Sequence, residues 1–330
     1  MSGVKCINKL VILILCLNIV LLFCGCGDNK PKLSYESVEH ISSFAISAAS
    51  DDRTQMFAQE LCVMDGDVGE IDEPVSEEYS YGAAALFDIR NSNVIFSKNA
   101  FVQLYPASLT KVMTAVVAMK YGKKDDVVVC SENVKIDEAG AQLCNFEPGD
   151  VMTLDQAMNC LLIYSGNDAA VAIAENIAGS VEDFCKLMNE EAKKLGATNS
   201  NFVNPNGLHD ENHYTTAYDM YLIFNEAVKY EWFNDIIRKN TYTTSYTRAD
   251  GSLREITYKP TNQYLSGAKT SPSNVTVLGG KTGTTRAAMS NLVLLSQDSG
   301  GYPYISIVMK ATTSDYLYEE MSSLLKAASQ

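Results

Sequence analysis

The chain has 330 residues, enough for one large domain or two small ones, and 46% of them are hydrophobic, so a full core can form. Its formal net charge of −14 argues against a nucleic-acid partner, because phosphate backbones attract basic surfaces. Only three histidines occur and no Cys/His cluster has zinc-ligand spacing, so we expect neither a metal nor another cofactor.

Residues 1–26 have the pattern of an export signal. Two lysines precede an apolar run, residues 10–23, that is too short for a comfortable membrane span. The run leads to a Gly-Cys pair that resembles a bacterial lipobox with Cys26 as the lipidated residue, although Phe23 stands where Leu is usual. Ordinary signal cleavage and an uncleaved anchor are the alternatives. We therefore expect an exported protein held at the membrane through its N-terminus.

An acidic segment follows at residues 27–79, with 13 acidic residues against three basic ones. This composition predicts a solvated tether between the membrane and the folded domain. Residues 57–64 are more apolar, and we expect them to pack onto that domain. The folded domain is predicted to cover residues 80–330.

Within this domain, the apolar and polar periodicities predict strands at both ends and helices between them. This order predicts an α/β fold in which an antiparallel sheet, closed by the two chain ends, is flanked by helices and receives an inserted helical cluster. The predicted strands are 82–89, 94–96, 276–280 leading into Lys281, 291–296 and 304–310, with a further β-rich stretch at 125–136. The predicted helices are the run ending at Gly122 and those at 154–163, 169–177, 181–195, 216–230 and 316–328.

The first chemically suggestive stretch opens the helix that ends at Gly122. Ser108 and Lys111 are three residues apart, so their side chains share one helix face. A desolvated lysine has a lowered pKa and can take the proton of a serine hydroxyl, and a helix N-terminus favours an oxyanion beside it. Alone, the pair is a weak signal, because a capping serine and a solvated lysine show the same spacing.

Two later stretches strengthen this interpretation. Ser165-Gly166-Asn167 lies between two helical patterns, and Lys281-Thr282-Gly283 opens a strand pattern. With Ser108-x-x-Lys111 they reproduce, in order, the three boxes of penicillin-binding proteins and serine β-lactamases. The chain resembles the D-alanyl-D-alanine carboxypeptidase family of low-molecular-weight penicillin-binding proteins over roughly residues 80–326. Other matching stretches are Tyr105–Lys111, Ser165–Ala170, Met188-Asn189 and Phe202–Leu208.

The resemblance implies the penicillin-binding/serine β-lactamase-like fold, with the site between sheet and helical cluster. It implies a serine peptidase that removes the terminal D-Ala of peptidoglycan stem peptides and is inhibited covalently by β-lactams. Ser108 would be the nucleophile and Lys111 the base. Ser165 would relay a proton to the leaving amine, and Asn167 would orient Lys111 and the substrate. Taken singly, Ser165 could equally be a helix cap and Asn167 a turn residue.

The third box would bind the substrate. Lys281 would supply positive charge near its terminal carboxylate, and Thr282 would bind that carboxylate. Gly283 would let a peptide lie along the strand edge. The resemblance also implies an oxyanion hole from the backbone N–H groups of Ser108 and Thr284. Alone, Lys281 could be a solvated charge on an edge strand.

Two positions depart from the family pattern. Ala288 is followed by Met289, where the family often has Ala-Gly. Leu317 stands where the closing helix often carries an arginine for the substrate carboxylate, and Arg286 or Lys310 would have to substitute.

Two other functions have to be weighed. A serine β-lactamase shares the three boxes but needs a carboxylate to activate water; Glu211 lies between the second and third boxes, in a stretch that resembles the carboxypeptidase loop instead. A non-catalytic cell-wall-binding lipoprotein should have lost a box residue, and none is lost.

The remaining histidines and cysteines are interpreted as structural. We assign no chemistry to His209 or His213. The exported part holds an odd number of cysteines besides Cys26, so at least one thiol stays unpaired, and a Cys130–Cys144 disulfide is left open.

Overall fold

A computed structural model describes residues 60–72 and 80–328, all within one compact unit, Phe57–Gln330. The export signal, Cys26 and most of the acidic segment lie outside these residues. Within the described ranges, no helix combines the length and apolarity that a membrane span requires.

The described residues contain nine strands, which form two antiparallel sheets. The larger has the order β2-β1-β9-β8-β7 and the smaller β3-β4-β5-β6. In the larger sheet β1 pairs with β9, so the two ends of the domain meet as the sequence predicts. The strands are β1 (Ala83–Asp88), β2 (Asn93–Lys98), β3 (Val127–Val129), β4 (Val151–Thr153), β5 (Tyr242–Thr247), β6 (Leu253–Tyr258), β7 (Val275–Thr285), β8 (Met289–Asp298) and β9 (Pro303–Ala311).

Eight α-helices are described, and most of them form a cluster inserted between β2 and β7. They are α1 (Thr110–Tyr121), α2 (Leu154–Asn159), α3 (Asn167–Ala178), α4 (Val181–Lys194), α5 (Ala217–Ala227), α6 (Glu231–Ile237), α7 (Gln263–Ser266) and α8 (Ser314–Ala327). Short 3₁₀ turns cover Ala107–Leu109 and Glu132–Val134, and a single π-helical turn covers Cys160–Tyr164. The predicted fold class is confirmed.

The large sheet is buried on both faces. Leu86 and Leu292 face one core, which the closing helix α8 covers. Phe87 and Val293, one position along each strand, face the other core, which includes α1 and α5. Because both faces are apolar, these strands read as continuous hydrophobic runs, which is why the sequence indicates them clearly.

Helix α1 lies inside the helical cluster. Its residues 110–119 are all buried, so it is apolar on every side rather than amphipathic. Lys111 and Thr114 are nevertheless among these buried residues. A lysine is almost never fully buried without partners, so the residues packed around Lys111 must offer it polar contacts inside the core.

The described part of the acidic segment packs on the domain at residues 60–72. Cys62 is fully buried, its N–H donates to the Tyr221 hydroxyl at 2.8 Å, and its carbonyl accepts from the Tyr218 hydroxyl at 3.0 Å. The Tyr221 ring stacks on Phe87 with centroids 4.0 Å apart. The segment is therefore fastened to the core beneath β1.

The smaller sheet contains the main elements that the sequence analysis missed. The β5–β6 hairpin is half-exposed and rich in Thr, Tyr and charged residues, so it lacks the apolar run that indicates the central strands. Helix α2 begins with a capping box: the Thr153 hydroxyl accepts from the N–H of Gln156, whose side chain accepts from the Thr153 N–H.

The described cysteines, Cys62, Cys130, Cys144, Cys160 and Cys185, are all buried free thiols. The Cys130–Cys144 disulfide that was left open is therefore absent from the structure. Burial raises the pKa of Cys144 well above the ordinary thiol value, and the neighbouring Cys160 thiol raises it further. Burial also raises the pKa of Cys130 to about 12. The thiols of Cys130 and Cys144 are therefore held protonated and unreactive.

We predict that Tyr221→Phe destabilises the protein by about 1–3 kcal/mol, because it leaves the buried N–H of Cys62 without its acceptor while keeping the ring stack. Urea denaturation would measure this loss, and limited proteolysis should cut the 60–72 segment faster. Tyr304→Phe is the control. It also removes a tyrosine hydroxyl, but this hydroxyl makes only a long contact of 3.4 Å with Asp298 and none with the 60–72 segment. Equal stability of both variants would contradict the proposed anchoring.

Candidate active site

Ser108 lies in the 3₁₀ turn that leads into α1, and it is half-buried at the wall of a cleft. The preceding backbone is held by Asn291 of β8, whose side-chain amide donates to the carbonyls of Tyr105 and Pro106, both at 3.3 Å. The Asn291 amide oxygen accepts from the backbone N–H of Lys310 at 2.6 Å. The large sheet thus fixes the position of the serine.

Lys111 is fully buried behind Ser108. Its Nζ is 2.8 Å from Ser108 Oγ, 2.8 Å from Asn167 Oδ1 and 2.6 Å from the carbonyl oxygen of Asn206. A neutral amine has two N–H donors and one lone pair. Because the two carbonyl oxygens can only accept, they take both N–H groups, and the lone pair then faces the Ser108 hydroxyl.

The surroundings of Lys111 favour this neutral form. Burial lowers the pKa of Lys111 well below its ordinary value, and the nearby charge of Lys281 lowers it further, against an opposing effect of Asp168. Lys111 therefore has the geometry and the electrostatics of a base for the Ser108 hydroxyl.

Ser165 lies in the turn between the π-helical turn and α3, and Asn167 is the first residue of α3. Ser165 is buried and left-handed, with φ 72°, which aims its side chain across the cleft. The N–H of Asn167 donates to the carbonyl of Gln142 at 2.8 Å. The buried carboxylate of Asp168 accepts from the N–H groups of Cys144, Phe146 and Ala169 at 2.9–3.1 Å. The turn is thus tied to the loop at 142–146.

Lys281 of β7 reaches the same turn from the sheet. Its Nζ is 2.9 Å from Ser165 Oγ and 2.9 Å from the carbonyl of Thr282. Burial lowers the pKa of Lys281 to about 7. The Thr282 hydroxyl is 2.5 Å from that of Thr261. Since β7 is an edge strand of its sheet, this line of residues borders the cleft.

Two glycines permit the close packing around Ser108. A Cβ on Gly283 would lie 2.7 Å from the Pro106 carbonyl oxygen and 3.0 Å from the N of Ser108, so only glycine lets β7 pass this close. Gly207 has φ 83°, and a Cβ there would collide with the Ala107 carbonyl. These contacts bring β7 and the loop at 203–207 against Ser108.

The eight residues predicted for catalysis and binding converge on one cleft of about 960 Å³. Lys111 and Lys281 are buried behind its wall, and Gly283 contacts the turn of Ser108. Ser108, Ser165, Asn167, Thr282 and Thr284 line it.

The other candidates from the sequence divide between the cleft and the rest of the surface. Arg286 and Leu317 also line the cleft, and Arg286 is exposed there. In residues 60–72 and 80–328, neither Lys310 nor Glu211 belongs to the cleft lining, and no group of side chains could hold a metal ion.

Sequence reasoning missed contributors that act through the backbone or from a distance. The Asn206 carbonyl belongs to a stretch that contributed to the resemblance, but a backbone oxygen leaves no signal in the side-chain pattern. Asn291 lies in a predicted strand, and its only distinguishing feature is that it is polar at a position that the strand pattern buries. Glu138, an exposed carboxylate lining the cleft, lies in a loop for which no structure was predicted.

Comparisons with known proteins agree with this geometry. The profile of the D-alanyl-D-alanine carboxypeptidase family matches residues 70–313. The D-alanyl-D-alanine carboxypeptidase DacC of Escherichia coli is 32% identical over 249 residues, 73% of this chain and 59% of the relative. DacF of Bacillus subtilis is 39% identical over 170 residues, 48% of this chain and 43% of the relative. The chain thus spans roughly half of these curated relatives.

A solved structure shows the same fold. The crystal structure of the Streptomyces K15 DD-transpeptidase superposes with a TM-score of 0.71 at 25% sequence identity, covering 78% of this chain and 99% of that one.

We predict that the acylation rate of Ser108 falls on the acid side with a pKa well below that of an ordinary lysine, because Lys111 must be neutral to accept the proton. Removing the neighbouring positive charge in Lys281→Met makes protonation of Lys111 easier, so this limb should move to higher pH. Stopped-flow labelling with a fluorescent penicillin across pH would measure the acid limb of the rate profile in the wild-type protein and in Lys281→Met. Lys310→Met, outside the cleft lining, is the charge-matched control; equal shifts in both variants would contradict the assignment.

Proposed function

Since the chain belongs to the D-alanyl-D-alanine carboxypeptidase family, we propose that it is a serine-type D-Ala-D-Ala carboxypeptidase. It removes the terminal D-Ala from peptidoglycan stem pentapeptides through an acyl-enzyme on Ser108. The observation that carries this proposal is the contact between Ser108 Oγ and Lys111 Nζ, in which two carbonyl acceptors leave the lysine lone pair for the serine.

Acylation follows from these positions. Ser108 Oγ attacks the carbonyl carbon of the penultimate D-Ala while its proton passes to Lys111. The resulting oxyanion is stabilised by the backbone N–H groups of Ser108 and Thr284. The C–N bond then breaks, and the proton held by Lys111 passes through the hydroxyl of Ser165, which lies beside Lys281, to the leaving amine, so that Lys111 is neutral again. Released D-Ala leaves space for water.

In deacylation, water is the attacking group and Ser108 is the leaving group. Water attacks the acyl carbon, Lys111 takes its proton, and that proton returns to Ser108 as the ester bond breaks. The serine hydroxyl and the neutral lysine are restored, so one water is consumed for each D-Ala released.

Substrate binding is assigned to the edge of β7. A stem peptide lies along this edge in an extended conformation, as peptides do on unpaired strands. Protonated Lys281 and the Thr282 hydroxyl receive the terminal carboxylate, and Gly283 leaves room for the peptide. A penicillin presents a carboxylate to the same residues and is proposed to acylate Ser108 covalently.

The alternatives have less support. A serine β-lactamase needs a carboxylate that activates water at the acyl-enzyme, and Glu211 is exposed and outside the residues that line the cleft. Glu138 does line the cleft but is exposed on a loop. A silent binding protein would not need a buried, desolvated lysine beside a serine, which is costly to fold. The carboxypeptidase is therefore the function we propose.

Incubation with a stem pentapeptide and with benzylpenicillin tests this function. We expect D-Ala release with turnover and a penicilloyl adduct that persists for minutes or longer, a barrier of roughly 20 kcal/mol or more, because the tethered lactam amine obstructs water. Ser108→Ala should fold normally, since Ser108 is half-buried, yet lose both activities. Rapid penicillin turnover without D-Ala release would favour the β-lactamase, and labelling of Ser108→Ala would refute the nucleophile.

We further propose that residues 1–26 direct export and that a lipid on Cys26 anchors the protein, with residues 27–79 as a tether to the catalytic domain at 80–330. Cys26→Ala should then release the protein from the membrane fraction of cells, because the apolar run is too short for a stable span. Cys24→Ala, two residues away in the same run, is the control. Retention of Cys26→Ala in the membrane fraction would show that the anchor is of another kind.

A further inference from the structure

His213 is buried near the candidate site, and both of its ring nitrogens are engaged. The N–H of Val203 donates to Nδ1 at 3.1 Å, and Nε2 lies 2.7 Å from the Thr110 hydroxyl. Because Nδ1 accepts, the proton of the neutral ring is on Nε2, which donates to Thr110 Oγ1. The ring edge also packs against Phe202 at a centroid distance of 5.6 Å.

These two bonds join the parts of the chain that hold Lys111. Thr110 directly precedes Lys111 at the start of α1, and Val203 begins the loop that runs to Gly207. The carbonyl of Pro205 in this loop accepts from the Thr114 hydroxyl at 2.6 Å, and the carbonyl of Asn206 accepts from Lys111 Nζ. The position of the Asn206 carbonyl therefore depends on how firmly the loop is held to α1.

We propose that His213 is a positioning residue for acyl transfer: by joining Val203 to Thr110 it holds the Asn206 carbonyl against Lys111, so that the lysine lone pair stays directed at Ser108. This inference rests on the proposed function for its catalytic consequence. The geometry itself is independent of the substrate.

The environment of His213 maintains the protonation state that this role requires. Burial lowers the pKa of His213 to about 4, with an opposing effect from Asp210 and further lowering by Lys111 and His209. A proton on Nδ1 would face the N–H of Val203, donor against donor, and break the connection. The folded state thus binds this proton more weakly than the unfolded chain, so its stability falls as pH decreases from about 6.5 toward 4.

Thr110→Val tests the role with little change in volume, because it removes only the hydroxyl that receives the Nε2 proton. We expect the second-order rate of Ser108 acylation by a fluorescent penicillin to fall about 10-fold to 100-fold through misplacement of Lys111. For the pentapeptide, kcat should fall while KM changes little. Thr110→Ser keeps the hydroxyl and should restore most of the rate.

A second readout does not need activity. In the Ser108→Ala background, Thr110→Val should raise the pKa of the Lys111 amine. A pH titration observed by ¹⁵N NMR of labelled lysine would measure this pKa. Water entering the loosened contact relieves the desolvation and replaces the carbonyl as acceptor. Thr110→Ser should leave this pKa near that of the Ser108→Ala parent. If the wild-type protein releases no D-Ala from the pentapeptide, the proposed function fails while this titration still decides the role of His213.

His213→Phe, which keeps a ring but no nitrogens, should reproduce the effects of Thr110→Val where it folds. Tyr221→Phe controls for general destabilisation, because it removes the acceptor of the buried Cys62 N–H while Tyr221 lies outside the cleft lining. If Thr110→Val lowers stability but leaves both the acylation rate and the Lys111 titration unchanged, His213 is structural only and the proposal is wrong.

Discussion

The structure depends on the burial of one amine, the Nζ of Lys111. Moving a lysine out of water costs several kcal/mol or shifts its pKa, and the chain accommodates it with acceptors rather than with a paired carboxylate. Its contacts, the Asn167 side chain and the Asn206 carbonyl, lie 56 and 95 residues further along the chain. A carboxylate in direct contact would hold the lysine charged, whereas two neutral carbonyls leave the neutral amine stable and directed.

Much of the surrounding fold can be understood as the means of bringing these acceptors together. The turn of Asn167 is fixed by the buried carboxylate of Asp168, which accepts three backbone N–H groups. The loop of Asn206 is held to α1 through Thr114 and His213. Ser108 is held from the opposite side by Asn291 of the large sheet. Sheet and helical cluster therefore meet at Ser108, and the cleft lies where neither layer covers this residue.

The sequence predicted the parts whose physical signal is local. The central strands are buried on both faces and show unbroken apolar runs, and the helices have caps such as Thr153 and stops such as Gly179. The β5–β6 hairpin was missed because its half-exposed strands carry mixed polar residues. Three boxes indicated the residues that line the cleft. The Asn206 carbonyl and the two bonds of His213 could not be found that way, since they depend on a loop conformation that brings distant residues together.

The backbone beside the site shows that this arrangement is imposed by its surroundings. Ala107 and Ser165 are left-handed, at φ 47° and 72°, and each such non-glycine residue costs about 1–2 kcal/mol. Ala107 directly precedes Ser108, and Ser165 lies beside Lys281. Relaxing Ala107 would move Ser108 away from Lys111, and relaxing Ser165 would withdraw its hydroxyl from Lys281. Both strained residues are buried among elements that fix them, so the strain is balanced by packing of the core rather than relieved locally. The placement of Ser108, Lys111 and Ser165 is thus a property of the whole domain.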